Sequence, residues 1–165
     1  AASFDDVQYW VGSGANQAAF VIDWNDGKSA ESLIWGYRWD GTATGLEMFQ
    51  SIVNADPRLY AHVGNYSWGT AILGVGFDLN GNGSFAVTPA LSFGSGGLFT
   101  STSPNDARSA VEAGDHYVEG WATGYWEYFN KANSGATAHA RADLSSFGAV
   151  VSPAPAARIG KTLQG

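Results

Sequence analysis

The chain has no cysteine and only one methionine. Without thiols there is no disulfide framework, no thiolate zinc or iron–sulfur centre and no cysteine nucleophile. Basic residues are scarce: eight Lys and Arg stand against fifteen Asp and Glu, for a formal charge of −7 and a pI near 4.6. A phosphate polymer is bound through clustered Lys and Arg; none cluster here, so no nucleic acid partner is expected. No apolar run approaches the ~20 residues that span a bilayer, so no transmembrane segment is expected. Nucleotide-binding glycine motifs are missing. So is G-x-S-x-G, because Ser67 in Gly64-Asn65-Tyr66-Ser67-Trp68-Gly69 comes one position late.

Glycine and aromatic rings are abundant: 22 Gly, 7 Trp, 7 Tyr and 9 Phe among 165 residues. That length suits one domain with a sizeable core. The opening Ala1-Ala2-Ser3 looks like the small-residue end left by signal-peptide removal. With the low charge content, it leads us to expect an extracellular or cell-surface location.

Periodicity predicts an α+β fold, mostly antiparallel β (sandwich-like or an open sheet), with one main helix near 45–55. Val7–Val11 and Ala19–Trp24 are β-rich around turn residues, and Asn25-Asp26-Gly27-Lys28 reads as a tight hairpin into Leu33–Trp39. In that last strand Leu33, Trp35, Tyr37 and Trp39 share a face. Thr44 and Glu47 have capping-box spacing, Leu46, Phe49, Ile52 and Val53 recur with helical period, and Asp56-Pro57 ends the run. Further strands are expected at Leu59–Val63, Ala71–Asp78, Ser84–Thr88, Leu98–Thr100 and within Ala138–Val151, with 64–69 and 94–97 as loops. Tyr117–Phe129 reads as one aromatic strand with Tyr117, Trp121, Tyr125 and Phe129 on one face. We place a single β-rich domain at 1–151 and a Pro/Ala-rich extended tail at 152–165.

Two features carry possible chemistry. Asp78-Leu79-Asn80-Gly81-Asn82-Gly83-Ser84 matches the first half of a calcium loop, in which Asp78, Asn80, Asn82 and the Ser84 carbonyl would supply hard oxygens. Pro89 stands where a helix–loop–helix site has its bidentate Glu, which excludes a full EF-hand; with one formal charge in the loop, a Ca2+ site would be weak or would borrow a distant carboxylate such as Asp5, Asp6 or Asp115. The same Asn-Gly pairs serve equally as a plain turn. The second feature is the surplus of rings. An open sheet with one helix cannot hide them all, and Trp39, Tyr117, Trp121, Tyr125 and Trp126 are the candidates for a ligand surface.

Catalytic groupings are poor by spacing. His116 and Glu119 fall on opposite strand faces, and His62 and His139 are isolated. Glu119 and Glu127, on one face of one strand, would lie roughly 26 Å apart at ~3.3 Å per residue, too far for glycoside hydrolysis.

The blocks Tyr9–Gly14, Val21–Gly27 and Trp35–Gly41, together with His116–Trp121 and Gly124–Trp126, resemble an uncharacterised exported bacterial domain found in cell-surface and C-terminally sorted proteins. The resemblance implies a surface role and supplies no catalytic residue. The hydrophobic sorting helix usual in such proteins is not within this sequence.

The leading expectation is a non-catalytic exported binding domain, its ligand a glycan or a flat hydrophobic cofactor such as a tetrapyrrole or corrinoid with a His as axial ligand. The alternatives are an extracellular matrix or filament subunit whose partners are copies of itself, and a glycan-active hydrolase, which the spacing disfavours.

Overall fold

The computed structural model describes residues 7–30, 32–122, 126–130, 139–141 and 157–161. The class is α+β, with one helix and two larger sheets. Sheet one contains β1 (Trp10–Gly12), β2 (Asn16–Asp23), β3 (Ser32–Trp39), β10 (Trp126–Asn130), β11 (His139–Arg141) and β12 (Ala157–Lys161), in the order β1-β3-β2-β12-β10-β11. Sheet two has the order β7-β4-β5-β9, from β4 (Leu59–Tyr66), β5 (Gly69–Phe77), β7 (Leu98–Thr100) and β9 (His116–Glu119). A small ladder joins β6 (Val87–Thr88) to β8 (Ser109–Ala110).

Helix α1 (Gly45–Ala55) starts where its local chemistry dictates. The Thr44 hydroxyl accepts the Glu47 N–H at 3.1 Å and the Glu47 carboxylate accepts the Thr44 N–H at 3.1 Å, so two free donors are satisfied reciprocally. Met48, Phe49, Ile52 and Val53 form its buried stripe. Beyond its end, Asp56 takes the Trp35 indole N–H at 2.9 Å and a bidentate grip from Arg58. Burial pushes the Asp56 carboxyl up, but Arg58 and Trp35 outweigh it and hold the group below the usual carboxylate range.

The core lies between the sheets and the helix. Ala18, Phe20 and Ile22 of β2, Trp35, Tyr37 and Trp39 of β3 and the helix stripe meet Leu59, Ala61 and Val63 of β4 and Ile72, Val75 and Phe77 of β5. Trp24, Trp35 and Trp126 are fully buried, and each indole N–H has an acceptor: Val75 O, Asp56 Oδ2 and Val118 O.

Several expectations need correction. β2 and β3 are not joined by a tight turn at 25–28, because their register ends with Asp23 paired to Ser32. Residues 117–129 do not form one strand: β9 belongs to sheet two and β10 to sheet one, so the aromatic alternation is cut in the middle. Residues 64–69 are mostly strand, with β4 running to Tyr66 and β5 starting at Gly69 around a Ser67-Trp68 turn. Part of the expected tail, Ala157–Lys161, is β12, inserted between β2 and β10.

Candidate functional site

Alternation along sheet two decides which side chains leave the core. Leu59, Ala61 and Val63 point inward, so Tyr60, His62, Gly64 and Tyr66 lie on the outer face. Opposite the His62–Val63 step, β5 carries one extra residue, Leu73, and this bulge restores the inward phase of Ile72 and Val75. On that outer face His62 pairs with Gly74, and Gly74 pairs with Glu119 of β9. His62 and Glu119 therefore stand two strand spacings apart, about 9.6 Å between backbones. Only a residue without a side chain between them lets the two reach each other. A Cβ on Gly74 would collide with the Tyr117 hydroxyl and come within 3.1 Å of Glu119 Oε1.

Across that glycine, His62 Nδ1 lies 2.9 Å from Glu119 Oε1, and His62 Nε2 lies 2.7 Å from Ser101 Oγ, just past the end of β7. Glu119 also accepts from the Tyr117 hydroxyl, the Arg108 guanidinium and, at 2.6 Å, the Asn105 N–H. Burial pushes the Glu119 carboxyl up, but hydrogen bonds from His62, Tyr117 and the Asn105 amide hold it below the usual carboxylate range. Burial, together with the neighbouring Glu119 charge, pushes the Tyr117 hydroxyl up. His62 and Glu119 are buried and Ser101 is half-buried. The serine was not singled out from sequence, and the histidine was read as isolated. Their one sequence trace is a glycine inside a strand, a mark of close approach.

The same outer face continues into an exposed aromatic cluster. Trp68 is 47% exposed and Trp121 44% exposed. With Tyr66 they make three near-parallel rings, with centroids 5.0 Å apart for Tyr66–Trp68, 5.8 Å for Tyr66–Trp121 and 6.2 Å for Trp68–Trp121. A stacked column would separate its outer rings by roughly twice one stacking distance. At these separations each pair is offset-stacked, and the three rings make one compact stepped tile. Asp106 holds the Trp121 N–H at 2.9 Å, and Asn65 accepts the Thr70 hydroxyl at 2.9 Å on the same hairpin. Gly64 joins tile and serine: a Cβ there would lie 2.7 Å from the Tyr66 ring and 3.0 Å from the Ser101 carbonyl oxygen.

No protein-family model, curated protein or solved structure matches the chain.

Of the expected ligand-binding rings, Trp121 is therefore at the surface. Trp39 is 6% exposed because it shares the inward face of β3 with Trp35 and stacks on Tyr37 at 5.5 Å. Tyr117, 5% exposed, lies over Gly74 and Gly76 under Phe85 and Phe93. Trp126 is 1% exposed, with its indole bonded to Val118. These three are core residues, and Tyr125 lies outside the described residues. Tyr66 and Trp68 are the rings stacked with Trp121.

The Asp78 loop folds back on itself. Asp78 accepts the N–H groups of Gly81 (3.1 Å) and Gly83 (2.8 Å), Asn80 Oδ1 that of Asn82 (3.0 Å), and Asn82 Oδ1 that of Ser84 (2.8 Å). The Asn80 and Asn82 side-chain amides donate to Glu112 at 2.8 and 2.9 Å. Asp115 joins through Oδ1, which accepts the Leu79 N–H at 3.0 Å, while its buried Oδ2 has no hydrogen-bond partner among the described residues. Burial, then the Asp78 and Glu112 charges, push the Asp115 carboxyl up. Among the described residues no three His, Asp or Glu side chains are arranged to hold a metal. A cation here would depend on the Asn oxygens. Asp5 and Asp6 lie outside the described residues.

Proposed function

We propose that this protein is an extracellular binding domain and that its ligand is a glycan held face-on against Tyr66, Trp68 and Trp121. The observation that carries the reading is the tile itself. Two indoles nearly half exposed, held parallel beside a third ring, present contiguous apolar area to water. The C–H face of a sugar covers such area, while its hydroxyls reach the polar groups on the rim: Asn65, Ser67, Thr70 and Asp106. The net charge of −7 favours a neutral glycan over an anionic one. A tetrapyrrole is less well supported, because His62 and His116 are buried and paired with Glu119 and Asp26.

The test is affinity electrophoresis in gels containing a neutral polysaccharide (xylan, mannan or a soluble β-glucan), alongside a haemin absorbance titration. Retardation of the wild type by at least one polysaccharide is expected. Trp121→Ala and Trp68→Ala should abolish it while leaving stability within about 0.5 kcal/mol, as for surface substitutions. Failure of every polysaccharide to retard the protein would defeat the glycan reading.

A calcium ion bound through Asp78, Asn80 and Asn82 is a second part of the proposal. The partnerless, buried Asp115 Oδ2 beside two further carboxylates favours it, since a divalent cation would relieve an otherwise uncompensated acceptor.

A further inference from the structure

Glu119, His62 and Ser101 make a directed chain. Glu119 receives donors from Tyr117, Arg108 and the Asn105 amide, so it acts as an ionised acceptor toward the imidazole. With His62 Nδ1 donating to Glu119, a neutral ring leaves Nε2 as an acceptor 2.7 Å from Ser101 Oγ, and in that state the hydroxyl donates to it. A buried carboxylate orienting a buried imidazole against a hydroxyl is the arrangement that activates serine for attack on a carbonyl. His62 and Glu119 are sealed from solvent, and Ser101 is the member of the chain that is only half-buried. The Ser103 N–H also approaches Ser101 Oγ, at 3.4 Å, a local contact that helps to position the hydroxyl.

We propose that Ser101 is a catalytic nucleophile for acyl transfer, with His62 as general base and Glu119 as positioning residue, and that it cleaves a carboxylic ester on the glycan held by the neighbouring tile. The choice of glycan rests on the binding reading above; the chemistry at Ser101 does not. Ser101 Oγ bonds to the ester carbonyl carbon as its proton passes to His62 Nε2. The bond from that carbon to the sugar oxygen then breaks, and the departing oxygen takes the proton from His62. Water adds to the acyl-serine in the same way, its proton passing through His62, and releases the carboxylic acid with Ser101 restored. Sequence spacing disfavoured a paired-carboxylate glycosidase; an esterase needs no such pair.

A fluorophosphonate probe, followed by peptide mass mapping, tests the nucleophile in the full chain without any variant. An adduct on Ser101 is expected, and its absence from the folded wild-type protein overturns the proposal. His62→Gln should slow labelling by about 10²- to 10⁴-fold, the usual worth of a general base; an unchanged rate would refute activation by His62. With p-nitrophenyl acetate as substrate, Ser101→Ala should abolish turnover. Glu119→Gln, assayed below its melting temperature, should lower kcat while leaving KM in place, which a merely structural carboxylate would not do. In the wild type, labelling without any polysaccharide binding would sink the glycan reading alone, and polysaccharide binding without labelling would sink the nucleophile alone.

Discussion

Glu119 is the one carboxylate carried by the described strands of sheet two, and its behaviour with pH follows from its partners. Its folded pKa lies below the ordinary glutamate value of 4.5, with burial opposing and His62, Tyr117 and the Asn105 amide prevailing. A carboxylate whose folded pKa is depressed contributes stability that is complete above its unfolded pKa and is lost as pH falls through the folded value. Glu119→Gln removes the charge and leaves Arg108, itself mostly buried, without its carboxylate. Breaking a buried pair in this way costs about 3–5 kcal/mol. Urea titrations of wild type and Glu119→Gln should differ by that amount at pH 7, and the gap should shrink once the pH drops below 4.5. A gap that stayed constant down to pH 3 would mean that the carboxylate charge is not what holds the cluster. None of this was legible in the chain, because His62 and Glu119 are 57 residues apart and meet only through strand register. Gly74 was visible, but a lone strand glycine names neither neighbour.

Elements whose causes are local were legible at nearly full detail, and the helix is the example. Thr44, Glu47 and the 3.6-residue stripe lie within one short window, so start, face and end all follow from adjacent residues. The Asp78 loop was legible in the same way as a succession of Asn-Gly turns, and its acceptors close it in that order. What the window could not supply was Glu112, which reaches it from 30 residues away. The tile shows the opposite failing: Tyr66 and Trp68 sit in a stretch whose Gly and Asn read as loop, whereas hairpin pairing to β5 turns it into a rigid support. Calcium is decided at the scale of this loop. EDTA should lower the melting temperature of the wild type, and Asp78→Ala should abolish the sensitivity while lowering stability by itself, since two backbone N–H groups lose their acceptor. A melt indifferent to EDTA would leave hydrogen bonds alone closing the loop.

Across the whole molecule, sheet one is assembled from the two ends of the chain. β2 and β3 form early in the sequence, and β12 comes from residues 157–161, lying parallel to β2 and antiparallel to β10. Pro153-Ala154-Pro155 drew the reading of this segment toward a pendant arm, while the pairing that makes Ala157–Lys161 a strand depends on β10 and on β2, the latter more than a hundred residues away. A central strand satisfies N–H and C=O groups on both its neighbours, so removing it uncovers two edges at once, and open edges recruit other chains. A chain ending at Ala156 should therefore lose several kcal/mol of stability, unfold with a broadened transition and elute from size-exclusion chromatography as oligomers where the full chain elutes as a monomer. This same comparison weighs the alternative in which copies of the protein build a filament. If the full chain polymerises through its own edges, it too should elute as an oligomer, and the truncation should add nothing. If β12 closes the sheet, self-association should appear only when it is gone, and a truncated chain that melts and elutes like the full one would mean that β12 is not an integral strand.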